Sequence, residues 1–133
     1  MATIINGSDN FNTNNVATDT ELSNAVSSIE DSGWITPTFQ NGWTHYTAPY
    51  GDVRYRKING VVHIEGLMKS GTISSTLPAF TLPVGFRPKA KLLGATQSNS
   101  VLGRLDVDTD GYVIPYTGSN VWFSVWCSFV AHN

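Results

Sequence analysis

Val53-Arg54-Tyr55-Arg56-Lys57-Ile58-Asn59-Gly60-Val61-Val62-His63-Ile64-Glu65-Gly66 decides the fold class of this chain. Two runs rich in β-formers flank Asn59 and Gly60, the pair that tolerates positive φ at both centres of a type I′ turn. A two-residue turn fixes the register: Ile58 faces Val61, Lys57 faces Val62, Arg56 faces His63, Tyr55 faces Ile64 and Arg54 faces Glu65. Cross-strand partners share a face. One face is therefore Val53, Tyr55, Val62 and Ile64, with Lys57 near the turn. The other carries Arg54 opposite Glu65 and Arg56 opposite His63, which read as structural charge pairs. A hairpin with one apolar face must bury it, and this predicts an all-β domain.

Outward from the hairpin, the signals stay β from Trp34 to the end. Pro37, Asn41-Gly42, Pro49, Gly51, Ser70-Gly71, Pro83, Pro88, Asp110-Gly111 and Gly118 punctuate runs of Val, Ile, Tyr, Phe and Trp, the pattern of an antiparallel sandwich or barrel. A second hairpin turns at Asp110-Gly111. Its expected pairs are Thr109 with Tyr112, Val107 with Ile114 and Leu105 with Tyr116 on an apolar face. Asp108 with Val113, Asp106 with Pro115 and Arg104 with Thr117 fall on the other. Pro115 predicts an edge position or a strand end. The closing run, Trp122 to Val130, puts Phe123, Val125, Cys127 and Phe129 on one face and Trp122, Ser124, Trp126 and Ser128 on the other. Both faces hold large apolar groups, so this strand is either central or covered by another chain.

N-terminal to the head, residues 18–33 predict one short helix. Thr18 and Glu21 fit a capping box. Leu22, Ala25, Val26 and Ile29 form a stripe at helical spacing, and Gly33 supplies a stop. Such a helix is marginal alone, so its stripe packs either on its own domain or in a bundle of identical chains. Residues 1–17 are polar and rich in Asn, too poor in apolar groups to order themselves, and read as an attachment arm. Residues 34–133 form the head.

Bulk properties exclude several function classes. The 133-residue chain carries a net charge of −2 and no basic run longer than Arg56-Lys57, which gives no basis for binding nucleic acid. No segment is long and apolar enough to span a membrane, and Met1-Ala2-Thr3-Ile4-Ile5-Asn6 is not a secretory signal. Cys127 is the single cysteine and reads as a small buried hydrophobe. Nothing calls for a cofactor.

The motifs that carry chemistry are few. Asp106, Asp108, Asp110 and Gly111 match half of a calcium loop, but Thr117 stands where the bidentate Glu belongs and no helix flanks it. The plain reading is an outward-facing acidic strand ending in a turn, with no metal. His45, His63 and His132 make neither a catalytic triad order nor a zinc pair. Trp43-Thr44-His45-Tyr46 is a cluster that stacks on sugar rings or, more commonly in a small β-domain, caps the core. No spacing selects a carboxylate pair for glycoside hydrolysis, so the chain reads as a non-enzyme. Arg104, Asp106 and Asp108 on one strand face, with aromatic residues nearby in sequence, suit a polyol: charged groups bond hydroxyls and a ring offers an apolar platform.

From Tyr55 onward, the order of elements resembles the C-terminal head of phage tail-fibre and baseplate receptor-binding proteins. The hairpin comes first, then Phe80-Thr81-Leu82-Pro83-Val84-Gly85-Phe86-Arg87-Pro88, then Gly103-Arg104-Leu105-Asp106-Val107 with its Asp110-Gly111 turn, and last the aromatic strand. That resemblance implies a homotrimeric β head, jelly-roll-like, joined to the tail by a short helix bundle and recognising host surface saccharide without catalysis. It favours the bundle reading for the stripe of Leu22, Val26 and Ile29. The expected saccharide contacts are Arg104, Asp106, Asp108 and Trp122. The expected protomer contacts are Leu22, Val26, Ile29 and Trp126. Other tail proteins would hold residues 1–17, and the protein would be made in the host cytoplasm and end in the virion tail tip. A structural baseplate piece without its own glycan site is the alternative.

Overall fold

A computed structural model describes residues 18–27 and 29–132. The chain divides into two compact units, with the boundary between Glu30 and Asp31. The first contains α1, Asp19–Ser27. Its capping box is formed: the Thr18 N–H donates to Glu21 Oε1 at 2.9 Å, and the Glu21 N–H donates to Thr18 Oγ1 at 3.1 Å. Hydrogen bonding to the carboxylate from Thr18, its backbone N–H foremost and its hydroxyl next, lowers the Glu21 pKa. The predicted helix was longer. Asp31, at the end of that expected span, belongs to the second unit, accepting from the Gly33 N–H at 2.9 Å and from Arg56, while its backbone bridges Ile58. The attachment arm, residues 1–17, lies outside the described residues.

The second unit is an all-β antiparallel sandwich. Its strands are β1 (Thr44–His45), β2 (Arg54–Ile58), β3 (Val61–Glu65), β4 (Leu67–Lys69), β5 (Phe80–Thr81), β6 (Leu92–Ser98), β7 (Val101–Val107), β8 (Tyr112–Thr117), β9 (Phe123–Ser124) and β10 (Cys127–Val130). One layer is a bent ribbon of two three-stranded sheets, β10-β3-β2 and β1-β4-β9. The facing layer is β5-β8-β7-β6. Between them lies the core: Trp43, Val53, Tyr55, Val62, Ile64, Met68, Phe123 and Val125 from the ribbon, with Phe80, Leu105, Val107 and Val113 opposite.

The β2–β3 hairpin has the register its turn dictates, from Arg54↔Glu65 to Ile58↔Val61. Asn59 and Gly60 take φ of 47° and 84°, as a type I′ turn requires. Val53, Tyr55, Val62 and Ile64 are buried. Lys57 escapes its apolar face by donating from Nζ to the Gly85 carbonyl at 2.7 Å. On the outer face Arg54 pairs with Glu65 at 2.8 Å, and Arg56 pairs with Asp31 at 2.6 Å. Arg54 also sits 4.1 Å from the Trp34 ring centroid.

Gly66 is where the ribbon bends between β3 and β4. It holds φ +128°, and a Cβ there would stand 2.4 Å from Val53 Cα, so only glycine fits. On the neighbouring strand the same bend splits the predicted Trp122–Val130 strand into β9 and β10. The alternation survives the split: Phe123 and Val125 are buried, Cys127 and Phe129 half-buried, and Trp126, Ser128 and Val130 exposed. Both pieces are edge strands of their sheets, so neither is central.

The second hairpin departs from its expected register. Val107 pairs with Val113, Asp106 with Ile114 and Leu105 with Pro115. The Asp108 N–H donates to the Tyr112 carbonyl and the Gly111 N–H to the Asp108 carbonyl, both at 2.9 Å. The loop is thus three residues, Thr109-Asp110-Gly111, with Gly111 at φ +92°, a turn followed by a left-handed glycine. A bulge between Arg104 and Leu105 restores Arg104↔Thr117 and leaves Tyr116 as the extra residue. β8 as a whole lies between β5 and β7, but β5 pairs only with Tyr112 and Val113, so at Pro115 the β5 side of β8 carries no strand partner and the missing N–H is tolerated.

Candidate functional site

Three of the four expected saccharide residues meet on the outer face of the β7–β8 pair. Arg104 grips Asp106 with two parallel bonds, Nε to Oδ1 at 2.9 Å and Nη2 to Oδ2 at 3.0 Å. Its guanidinium lies 3.7 Å from the Tyr116 ring centroid. Lys91 Nζ stands 3.5 Å from Asp108 and 3.9 Å from Asp106. The Asp106 carboxylate holds the Arg104 pKa above its ordinary range. Asp106 corrects the expectation of an open acidic face: its side chain is 0% exposed, and both carboxylate oxygens are engaged by Arg104. Its burial follows from the slipped register, which brings Ile114 and Tyr116 onto this face.

The half calcium loop is explained by the same turn. Asp108 Oδ1 accepts from the Thr109 N–H at 2.8 Å and Asp110 Oδ1 from the Tyr112 N–H at 3.1 Å. Among the described residues no three His, Cys, Asp or Glu side chains converge to hold a metal ion.

Trp122 lies elsewhere. It lines a cleft of about 260 Å³ with Tyr46, Tyr50, Leu67, Gln97 and Ser124. Each wall is fixed by backbone bonds. Leu67 holds both ends of the tyrosine loop, its carbonyl accepting from the Tyr46 N–H and its N–H donating to the Gly51 carbonyl, each at 3.0 Å. Within that loop the Tyr50 N–H donates to the Thr47 carbonyl at 3.2 Å, with Thr47 at φ 85° and Pro49 cis, the layout of a type VI turn. The two tyrosine rings meet edge to face, centroids 5.3 Å apart. Lys69 Nζ stands 5.3 Å from the Tyr46 centroid.

Opposite, Ser98 fixes the loop before Trp122. It is fully buried; its Oγ accepts from the Ser119 N–H at 2.7 Å and lies within bonding reach of the Ser119 and Trp122 carbonyls, at 2.8 and 3.0 Å. Thr96 Oγ1 donates to the Ser124 carbonyl at 2.7 Å, tying β6 to β9. The Trp43-Thr44-His45-Tyr46 cluster divides between the core and the surface. Trp43 is core, and His45 Nδ1 accepts from the Val53 N–H at 3.0 Å while its ring meets Phe39. Tyr46 faces the cleft. Tyr50, Gln97 and Ser98 carried no signal in the sequence beyond membership of turn-like polar stretches.

Of the expected protomer contacts, Leu22 and Ile29 are exposed and Trp126 is 73% exposed; the Val26 side chain lies outside the described residues. Trp126 lines an apolar groove of about 410 Å³ with Leu92, Leu93, Leu105 and Val107. That groove runs between β6 and β10, two sheet edges. Leu93, Val101 and Leu102 are also exposed, Leu102 at 77%. Burial pushes the Cys127 thiol up to about 11, which disfavours the thiolate that a nucleophile needs.

No protein-family model and no curated protein matches this sequence. Among solved structures, the receptor binding protein (gp15) of Listeria phage PSA is similar over 100% of this chain and 89% of its own, with a TM-score of 0.62 and 20% identity. At that identity the two share a fold.

Proposed function

We propose that this chain is a phage tail receptor-binding protein: a homotrimeric head that recognises saccharide on the host surface without cleaving it. The likeness to the Listeria phage receptor binding protein carries this reading, because it runs through the whole chain rather than one motif. The exposed apolar edge supports a trimer. Leu93, Leu102 and Trp126 are each more than half exposed, and a lone soluble domain seldom leaves such a patch uncovered. Trp126, with Leu22 and Val26 in the helix and Ile29 just after it, are the protomer contacts. Residues 1–17 join the head to other tail proteins, which places the protein in the virion tail. Trp122 supplies a stacking ring. Arg104 and Asp108 offer charged contacts to hydroxyls, and Asp106 acts through Arg104 as a positioning residue. Modest affinity at each site is multiplied by the copies in a trimer.

Two measurements test this. Sedimentation should give three times the 14.5 kDa chain mass; a monomer defeats the trimeric reading. Labelled protein should bind a panel of purified bacterial cell walls, and mild periodate treatment of those walls should abolish binding with no release of reducing ends. Binding that survives both periodate and chemical stripping of the wall glycans would place the receptor outside saccharide, and incorporation into tails without any wall binding would favour a structural baseplate piece.

A further inference from the structure

We infer that the cleft between Tyr46, Tyr50 and Trp122 is a subsite for one uncharged pyranose ring, with Gln97 and Ser124 addressing its hydroxyls. This rests on the saccharide-binding reading and names where and what is bound. A pyranose has an apolar face of C–H groups and a rim of hydroxyls. It needs a ring to lie on and neutral polar groups beside it, the combination of apolar walls and few polar groups typical of ligand sites. The cleft supplies both. Its walls are three aromatic rings and Leu67; its polar groups are an amide, the Ser124 hydroxyl and the tyrosine hydroxyls.

Size and charge narrow the occupant. At about 260 Å³, the cleft falls below the roughly 300–1,000 Å³ of pockets that enclose drug-sized ligands, so it takes a single ring and leaves the rest of a glycan outside. None of its six lining residues carries a charge. An anionic sugar would lose hydration there without a lining counter-charge, and Lys69, the cation beside it, is set against the Tyr46 ring. The same lack of carboxylates leaves no acid–base pair at the ring, in keeping with binding rather than cleavage.

The cleft is also preorganised. Tyr50 is 54% exposed, yet its loop is fastened at both ends to the backbone of Leu67, and the Trp122 loop is fastened to the buried Ser98. Holding large rings in place before the ligand arrives lowers the ordering cost of binding. The acidic face of β7 lacks this character: the Asp106 carboxylate is consumed by Arg104, and Asp108 is engaged by Lys91 and the Thr109 N–H.

The test uses the full chain with methyl glycosides of neutral hexoses, 6-deoxyhexoses and N-acetylhexosamines, read by tryptophan fluorescence and by amide chemical shifts. At least one glycoside should shift the Tyr46, Tyr50, Gln97 and Ser124 amides, and the corresponding uronic acid should not. Tyr50→Ala, on an exposed loop, and Trp122→Ala should each weaken binding about tenfold or more, while Val84→Ala, at an exposed position outside the cleft lining, should leave it within about twofold. Periodate-sensitive wall binding that Tyr50→Ala and Trp122→Ala leave intact overturns this subsite and spares the saccharide reading. Wild-type protein that binds neither walls nor any glycoside overturns both. Shifts confined to the Arg104 face overturn the subsite alone.

Discussion

Two hairpins of the head, β2–β3 and β7–β8, turn on an X-Gly pair that looks alike in sequence, and they part in structure by one residue. At Asn59-Gly60 both residues go left-handed and the loop is two residues long. At Asp110-Gly111 only the glycine does, and Thr109 joins the loop. Since side chains alternate with period two, one added residue turns β8 over relative to β7. Ile114 and Tyr116 then cover the strand face that carries Asp106, and Val113 and Pro115 go inward. An acidic stripe that an Asp-Gly turn of two residues would leave open to a ligand becomes a buried carboxylate held by a partly exposed Arg104. Asn accepts the left-handed region more readily than Asp does in this pair, and the side chains of Asp108 and Asp110 cap N–H groups within the loop.

The strongest way to break this comparison is to put a methyl group on each glycine. In Gly111→Ala the new Cβ would meet the Leu82 carbonyl oxygen at 2.2 Å, in a backbone already at φ +92°. Backbone must move, and the expected loss is more than about 3 kcal/mol by urea unfolding. In Gly60→Ala the Cβ meets nothing within 4 Å, so only the left-handed cost of about 1–2 kcal/mol remains. Equal losses would mean that the second turn is not anchored on Leu82.

The ion pairs sharpen the comparison at smaller energies. Asp106→Ala removes a carboxylate with no exposed surface and leaves the Arg104 guanidinium against Tyr116. The expected loss is about 2–3 kcal/mol. Glu65→Ala in the first hairpin removes a partner of Arg54 where both side chains reach solvent, and should cost under about 1 kcal/mol. If the two losses match, Asp106 is more hydrated than its burial indicates.

The first hairpin was legible because its turn admits one register and its faces differ in polarity. The all-β class and the alternation of the closing strand followed from the same period-two pattern. Three things were hidden. Asn99-Ser100 makes the β6–β7 turn at φ 43° and 68°, without the glycine that flags such turns. The bend at Gly66 has its cause in a close approach to Val53, which lies far outside local pattern. The aromatic cleft gathers side chains from residues 46 to 124, so Tyr46 stood out only within a cluster more readily read as core, and Trp122 stood out beside the wrong partners. Local chemistry determines turns and faces; a site assembled from four separate segments is set by their packing.

The smallest expected effect compares the two Arg–Asp pairs by pH. Arg56 holds Asp31 as Arg104 holds Asp106, through two bonds of 2.9 and 2.6 Å, but this pair lies at the surface. Hydrogen bonding from Arg56, aided by the Gly33 N–H, lowers the Asp31 carboxyl from 3.8 to about 2. The folded state therefore holds the ionised form more firmly than the unfolded chain does. Stability from Asp31 is present above pH 3.8 and drains away as pH falls toward 2. Wild-type protein should thus exceed Asp31→Asn in urea midpoint near neutral pH, with the gap closing across that acid window and screened by added salt. A gap that persists at pH 2 would show that Asp31 acts through its turn with Gly33, which an amide oxygen reproduces only in part, and not through its charge on Arg56.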